Sequence, residues 1–349
     1  MATDSNPMTM NDLVLVTGGT GFVGIHCIAA LLRQGYRVRT TVRSLDRSHE
    51  VCEMLIRAGL GDTRIEFSTA DLTSDIGWPE AVAGCRYVLH VASPFFFGKD
   101  EKAMDLTTPA REGTLRVLRA ARDAGVERVV LTSSFAAIGY GHADRPTPFT
   151  EDDWTNIDGD DVSPYIRSKA IAERAAWDFL AREGGNLQLA SVNPVGIFGP
   201  ALGPKLSASV QILQRMLKGE FPGVPRIAFG AVDVRDVADL ELLAMTRPEA
   251  NGQRFLAITG NAVPFIEYAN ILRKHLRTRG AKLPKRELPD WMIRGFALIR
   301  PEAKDLIPQL GKRRQTTSVK AQQLLGWQPR SIEEALNSSA DSLFDLGLV

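Results

Sequence analysis

A tyrosine and a lysine stand four residues apart, at Tyr165 and Lys169, near the start of a segment with a helical pattern. That spacing places both side chains on one face of a helix. A tyrosine phenol ordinarily ionises at about pH 10, and a neighbouring ammonium favours the phenolate and lowers its pKa. Tyr165 is therefore predicted to act as a general acid. Ser134, at the end of an apolar run, is predicted to hold an oxygen that gains negative charge.

A glycine-rich turn supplies the context that this pair needs, because a helical Tyr/Lys pair alone is more often an ordinary surface contact. Residues 17–24 read TGGTGFVG and satisfy G-x-G-x-x-G directly after a predicted strand and before a predicted helix. Such glycines let the backbone approach a pyrophosphate, and the helix start offers free N–H groups. The turn, Ser134 and the Tyr/Lys pair together predict hydride transfer between a nicotinamide cofactor and a substrate.

The end of the second predicted strand indicates which nicotinamide cofactor is used. NAD-binding proteins usually carry an acidic side chain there, which binds the ribose 2′-hydroxyl. This sequence has the apolar Val42 followed by Arg43, and Arg47 comes four residues later. Two cations without an acid would pair with a 2′-phosphate, so NADPH is predicted in preference to NADH. The alternative is that both arginines are solvated loop charges.

Short apolar runs alternate with amphipathic helical patterns, and these elements must position the site. The alternation predicts βαβ units in an α/β fold of the Rossmann type, with a doubly wound parallel sheet. Strands are expected at Leu13–Val16, Arg37–Val42, Arg64–Ser68, Tyr87–Val91, Arg128–Thr132 and Leu187–Val192. The helices between them include Phe22–Arg33, Pro109–Ala124 and Pro164–Ala181.

A change of texture after Asn193 divides the chain. The stretch NPVGIFGPALGP is dense in Gly and Pro, and the signals after it are less regular. Residues 1–193 are predicted to form mainly the NADP-binding Rossmann domain. Residues 194–349 are predicted to form mainly a smaller C-terminal α/β substrate lobe, with the chain crossing back to the Rossmann sheet around 226–250.

The composition excludes some partners and compartments. With 42 basic and 41 acidic residues, the chain has no net field for nucleic acid or an anionic membrane, so a small-molecule carbonyl substrate is expected. Three cysteines without CxxC spacing and scattered histidines predict neither disulfides nor a metal site. The N-terminus is polar and has no long apolar run, so neither a signal peptide nor a membrane span is predicted. A cytoplasmic protein is therefore expected.

Further motifs resemble one family over nearly the whole chain. They are HVASP at 90–94, Asn193-Pro194, VDVRDVA at 232–238 and LGWQP at 325–329. With the glycine turn and YxxxK, the chain resembles the dihydroflavonol-reductase-like extended short-chain dehydrogenases/reductases. That group includes plant flavonoid and cinnamoyl-CoA reductases and yeast methylglyoxal and carbonyl reductases. The resemblance implies reduction of a ketone or aldehyde to an alcohol with the pro-S hydride of NADPH.

The resemblance also implies which residues contact the cofactor. Asp71 and Leu72 should border the adenine, residues 91–93 the ribose side and residues 194–197 the nicotinamide. Ser209 should lie near the nicotinamide end, although Ser207 is close enough to be confused with it. Together with the glycine turn, the expected cofactor-binding residues are Gly18, Thr20, Gly21, Phe22, Val23, Gly24, Arg43, Arg47, Asp71, Leu72, Val91, Ala92, Ser93, Thr132, Tyr165, Lys169, Pro194, Val195, Ile197 and Ser209.

Departures from the family pattern limit the substrate assignment. Flavonoid reductases carry an asparagine five residues after the catalytic serine, where this chain has Gly139, and the NWYCY signature of cinnamoyl-CoA reductases reads VSPY at 162–165. Neither plant substrate is therefore expected. By analogy with the yeast-like carbonyl reductases, Gly139 and Val162 should line the substrate pocket, with the small Gly139 leaving room. Phe95 and Phe97 are a further candidate wall or, equally, core packing.

Three other functions stay open as alternatives. An NAD-dependent nucleotide-sugar epimerase or dehydratase shares the fold but needs the acid that is absent at Val42. A hydroxysteroid-type dehydrogenase would use the same residues for oxidation. A non-catalytic NADP-sensing protein would have no physical reason to keep the catalytic set. A monomer or a homodimer is expected, because helices Pro109–Ala124 and Pro164–Ala181 form a dimer interface in many proteins of the resembled family and others of that family are monomers.

Overall fold

The structure of the chain is a computed structural model that describes residues 12–61, 63–93, 105–299 and 301–349, with only the backbone described at 301–303. The strands are β1 (Leu13–Val16), β2 (Arg37–Val42), β3 (Glu66–Thr69), β4 (Tyr87–His90), β5 (Arg128–Thr132), β6 (Gln188–Pro194), β7 (Gly196–Phe198), β8 (Val224–Pro225), β9 (Ala228–Phe229), β10 (Ala231–Asp233), β11 (Arg254–Ala257), β12 (Val263–Pro264) and β13 (Glu287–Leu288). The α-helices are α1 (Phe22–Arg33), α2 (Ser48–Arg57), α3 (Trp78–Val82), α4 (Thr107–Asp123), α5 (Pro164–Glu183), α6 (Ala208–Leu217), α7 (Val234–Thr246), α8 (Phe265–Leu276), α9 (Asp290–Ile299), α10 (Val319–Leu325) and α11 (Ile332–Asp345). Short 3-10 helices lie at Leu45–Arg47, Phe135–Ala137, Pro248–Ala250, Arg277–Gly280 and Pro301–Gln309.

The central sheet has seven parallel strands in the order β11-β6-β5-β4-β1-β2-β3. This order, with helices on both faces, confirms the predicted Rossmann-type α/β fold. Six of these strands fall at the predicted places: β1, β2 and β5 have the predicted ends, and the ends of β3, β4 and β6 are shifted by at most two residues. The prediction missed β11, which adds a seventh strand beside β6. Its sequence, RFLA, contains no β-branched residue and so lacks the composition that marks β1 and β5 as strands.

Alternate side chains of the strands divide the core between two helical layers. Val14 and Val16 of β1 face one layer, in which α1 packs against α7. Leu13 and Leu15 face the other layer, which contains α4 and α5 side by side. Because both faces are covered, β1 is apolar at every position, as expected for a strand buried in a parallel sheet.

A second core lies in the segments after β6. Helices α6, α8 and α11 bury their apolar sides against one another, around residues such as Leu213, Tyr268 and Leu336. Among the described residues, β7 pairs with β10, β9 with β12 and β8 with β13. The chain returns to the main sheet through α7 and β11. The domain limits at 193 and 194 stay a prediction. No helix in the described part of the chain is long and apolar enough to span a bilayer.

Candidate active site

The carboxyl ends of four neighbouring strands meet at one edge of the central sheet. Because β1, β4, β5 and β6 are parallel, the segments that follow them all leave from this edge. These segments are the glycine turn, residues 91–93, the Ser134 loop and the entry to the second core. Open α/β sheets bind their ligands at this edge, so the topology brings most of the predicted site residues to one place.

The glycine turn forms a tight connection between β1 and α1. Gly18 has a φ of +74°, which residues with a side chain rarely adopt, and its N–H donates to Thr41 Oγ1 at 3.0 Å. A Cβ on Gly24 would lie 2.5 Å from the Gly18 carbonyl oxygen, so the turn and helix α1 can meet only without that side chain. The first-turn N–H groups of Phe22 and Val23 have no acceptor within the helix. The turn therefore fits a pyrophosphate.

Residues 91–93 pack directly on the glycine turn. Thr17 Oγ1 accepts a hydrogen bond from the Ala92 N–H at 2.9 Å and lies 2.9 Å from His90 Nδ1. Burial, together with the charge of Lys169, lowers the pKa of His90 to about 3, so this ring is neutral. The predicted ribose-side segment and the predicted pyrophosphate turn thus share a hydrogen-bonded boundary.

Basic side chains gather beyond the end of β2, beside the glycine turn. Arg47 donates to Glu50 Oε1 at 2.9 Å and to Thr20 Oγ1 at 3.2 Å, which links it to the turn. Lys205 also donates to the Glu50 carboxylate, at 2.6 Å, although 155 positions separate the two residues. Lys205 was not predicted from the sequence, because no local pattern connects it to this corner.

Arg43 and Asp71 follow the adjacent strands β2 and β3 and face each other. Arg43 Nε lies 3.6 Å from Asp71 Oδ2, and the Arg43 side chain is 73% exposed. Hydrogen bonds from the hydroxyl and N–H of Thr73, at 2.6 and 2.8 Å, hold the pKa of Asp71 below its ordinary value. Leu72 packs against α4 at Gly113, where an added Cβ would come within 2.9 Å of Leu72 Cβ. Arg43 and Arg47 thus bring two guanidinium groups to the segment that follows β2, which suits a 2′-phosphate.

Helix α5 presents the predicted catalytic pair. The helix begins at a Ser163 cap, whose Oγ accepts a backbone N–H at 3.3 Å. Tyr165 lies in the first turn and Lys169 one turn later, with Lys169 Nζ 6.0 Å from the centre of the Tyr165 ring. Burial lowers the pKa of Lys169 to about 8, and the charge of Glu173 opposes that shift. The Lys169 ammonium thus lies beside the Tyr165 ring, where its charge favours a phenolate.

A cavity of about 380 Å³ opens in front of this pair. Tyr165 and Ser134 both line it, as do the predicted nicotinamide contacts Pro194, Val195 and Ser209. Ser134 Oγ accepts a backbone N–H at 3.1 Å, so its own proton can be donated to a ligand. The remaining wall is mainly apolar with a polar section, formed by Phe135, Ile166, Ala208, Ala228 and Phe229 and by Tyr140, Asp305, Arg314 and Thr316.

The predicted substrate-pocket residues do not all reach this cavity. Gly139 and Val162 are outside the described lining. A Cβ on Gly139 would come within 2.1 Å of Phe135 Cζ, so the Phe135 ring fills the space expected to be left open there. Phe95 and Phe97 lie outside the residues that the structure describes. All four stay predicted pocket residues.

Three of the other predicted cofactor contacts have clear surroundings. Thr132 donates its hydroxyl to Glu241 Oε1 of α7 at 2.6 Å, so this side chain turns into the helical layer. Ile197 packs between the two cores. Ser207 caps α6, with its Oγ accepting a backbone N–H at 3.2 Å, whereas Ser209 lines the cavity. The two neighbouring serines therefore occupy separate positions.

A buried carboxylate that was not predicted from the sequence lies behind the catalytic pair. Glu173 follows Lys169 by one helical turn and is fully buried. Its oxygens accept hydrogen bonds from Asn193 Nδ2 at 2.6 Å and Arg254 Nε at 2.7 Å. Arg254 lies 81 positions away, so only the repeated four-residue step from Tyr165 through Lys169 to Glu173 could have indicated this position.

Comparisons with known proteins place this geometry among reductases. A family model described as the NAD dependent epimerase/dehydratase family matches residues 14–257. A cinnamoyl-CoA reductase of Medicago truncatula is 32% identical over 270 residues, which cover 76% of this chain and 81% of that protein. A ketoreductase of Aspergillus niger is 32% identical over 303 residues, covering 81% and 88%. The structure of yeast methylglyoxal/isovaleraldehyde reductase complexed with NADPH superimposes with a TM-score of 0.79 at 26% identity, covering 97% of this chain and all of that one.

Proposed function

We propose that this chain, which belongs to the NAD dependent epimerase/dehydratase family, is an NADPH-dependent carbonyl reductase that converts a ketone or aldehyde into an alcohol. One observation carries the proposal: Ser134 and Tyr165 face one cavity, and Lys169 lies one helical turn behind Tyr165. The relatives compared above are reductases, one of them solved with NADPH. The resemblance inferred from the sequence motifs is thereby confirmed.

Three side chains handle the proton and the developing charge. When bound, NADPH supplies the hydride that reduces the carbonyl carbon. Tyr165 donates its phenolic proton to the substrate oxygen, which thereby becomes a hydroxyl. Ser134 donates a hydrogen bond to the same oxygen while negative charge builds on it. The Lys169 ammonium stabilises the phenolate that Tyr165 becomes, until a proton from solvent restores it.

The choice of NADPH over NADH rests on the corner beyond β2. Arg43 is exposed and only weakly engaged with Asp71, so it can turn to a phosphate at little cost. Arg47 contacts Thr20 of the glycine turn, which places a second cation beside the cradle for the pyrophosphate. A 2′-phosphate would pair with both guanidinium groups.

The cavity favours a substrate with an apolar body. Its volume of about 380 Å³ and its aromatic and aliphatic walls suit one compact ketone or aldehyde with a hydrophobic substituent. The polar section near Arg314 would face a part of the substrate that carries an oxygen. We also propose that the protein works in the cytoplasm, as a monomer or a homodimer, with its three cysteines as thiols.

The test follows the oxidation of NADPH and of NADH with aromatic ketones, β-keto esters, α-dicarbonyls, dihydroflavonols and nucleotide sugars. We expect NADPH to be consumed with a ketone or dicarbonyl. In Tyr165→Phe, kcat/KM should fall by about 100- to 10,000-fold, because only the proton donor is lost, while the affinity for NADPH stays nearly constant. Tyr36→Phe is the matched control, because Tyr36 precedes β2 at the opposite edge of the sheet and should keep full activity.

Two results would contradict the proposal. Equal turnover by Tyr165→Phe and the wild type would remove Tyr165 from the reaction. If neither NADPH nor NADH were oxidised with any compound of the panel, and the purified protein retained NAD, the alternative of a nucleotide-sugar epimerase or dehydratase would be favoured.

A further inference from the structure

Glu173 is a carboxylate with no exposure to solvent, and several side chains donate hydrogen bonds to it, among them Trp177 Nε1 to Oε1 at 3.3 Å. Ser133 Oγ and Asn193 Nδ2 donate to Oε2, at 2.5 and 2.6 Å. Arg254 Nε and Ser191 Oγ donate to Oε1, at 2.7 and 2.9 Å. A carboxyl buried this completely would normally be protonated. Here the charge of Arg254 and these donors outweigh burial and hold the pKa of Glu173 below its ordinary value, so it carries a negative charge.

These contacts join three elements that each contribute to the proposed active site. Ser133 precedes Ser134 at the end of β5, and Asn193 Nδ2 also donates to the Ser134 carbonyl oxygen at 3.2 Å. Asn193 itself precedes Pro194 of the cavity wall at the end of β6. Glu173 sits on α5, two turns after Tyr165. One carboxylate therefore fixes the positions of the serine, the proline and the tyrosine relative to one another.

Glu173 also supplies charge to the interior where Lys169 must stay protonated. Burial works against the Lys169 ammonium, and Glu173 is the group whose charge favours it. His90, on β4, is neutral and adds no charge to the site, and the Tyr165 ring lies beside the ammonium on α5. Arg254, on β11, forms an ion pair with Glu173. The balance at Lys169 thus depends on one carboxylate.

We propose that Glu173, held by Arg254, is a positioning residue of the reductase that keeps Lys169 charged and aligned behind Tyr165. This inference rests on the proposed function. Stability alone explains the cluster poorly, because a buried ion pair usually stabilises a fold no better than well-packed apolar side chains.

The test is the pH dependence of kcat/KM at saturating NADPH. In the wild type, activity should fall on the alkaline side near pH 8, where the Lys169 ammonium loses its proton. In Glu173→Gln the negative charge is gone, so Lys169 should lose that proton at lower pH, and the alkaline limb should move down by roughly one pH unit. Glu241→Gln is the control, because Glu241 is equally buried but accepts its hydrogen bond from Thr132, and Glu173 rather than Glu241 acts on the charge of Lys169. The alkaline limb of the Glu241→Gln profile should stay at the wild-type pH.

If Glu173→Gln does not fold, the double variant Glu173→Gln/Arg254→Gln carries the same test. It removes both members of the ion pair and so leaves no unpaired charge in the core. A limb that stays at the wild-type pH in a folded variant, with only kcat/KM or melting temperature reduced, would overturn the inference. A wild type that oxidises no NADPH with any carbonyl compound would instead overturn the proposed function, and this inference with it.

Discussion

Replacement of Arg43 by alanine should weaken NADPH binding and leave NADH binding almost unchanged. A charge-assisted hydrogen bond contributes about 1.5–3 kcal/mol when it is shielded from water. The Arg43 side chain is 73% exposed, so solvent reduces this value, and about 1–2 kcal/mol is the appropriate range. The ion pair with Asp71, 3.6 Å long and exposed, costs little to break. The affinity for NADPH should therefore fall by roughly 5- to 30-fold.

The assay is a titration of each purified variant with NADPH and with NADH, followed by cofactor fluorescence. Arg57→Ala is the matched control, because it removes one positive charge from the nearby helix α2 at an arginine that is also exposed. Its NADPH affinity should stay close to that of the wild type. The difference between the two variants should shrink at high salt, because exposed charges are screened.

Two results would refute the reasoning about Arg43. If Arg43→Ala weakened NADH as much as NADPH, Arg43 would support the site in general and not the 2′-phosphate. If Arg57→Ala had the same effect as Arg43→Ala, net charge would account for the loss.

Arg47 should contribute less than Arg43 to NADPH binding, because Glu50 and Thr20 already hold its guanidinium group.

Two further predictions concern stability and the glycine turn. Burial raises the pKa of Glu241 from the ordinary 4.5 to about 8, so the native protein loses up to about 1.4 kcal/mol per pH unit as pH rises through that interval. In Glu241→Gln the melting temperature should depend less on pH over this range than in the wild type. An unchanged dependence on pH would contradict the raised pKa of Glu241. Gly24→Ala should weaken NADPH binding at least about tenfold, because its Cβ would meet the Gly18 carbonyl oxygen, whereas Gly295→Ala, with open space around it, should not.

Local patterns explain why much of the site could be predicted from the sequence. The glycine turn is a continuous motif between one strand and one helix, so its residues carry their own geometry. Tyr165 and Lys169 share a helix, and a spacing of four residues is enough to put them on one face. The acidic side chain that NAD-binding proteins usually carry at the end of the second strand is absent here, and Val42 and Arg43 stand in that place. This difference is likewise visible in two adjacent residues.

Contacts between distant segments account for what the sequence did not reveal. Glu173 meets Arg254 and Glu50 meets Lys205 only after the sheet has assembled, and no local pattern encodes either pair. Thr132 is a different case. Side chains alternate along a strand, and Val130 belongs to the layer that contains α7, so Thr132 must face the same layer. Strand alternation alone could have indicated that direction.

The seventh strand sets a limit on how this protein can be divided. β11 forms the outer edge of the sheet beside β6, and it brings Arg254 to the carboxylate behind the catalytic lysine. A fragment that stopped at residue 193 would expose the backbone of β6 as an open edge, which invites pairing with other chains. It would also leave Glu173 without its counter-ion. A chimera that takes its substrate lobe from a relative should therefore keep residues 231–257 of the nucleotide-binding half. Only the segments before and after this return segment should be exchanged.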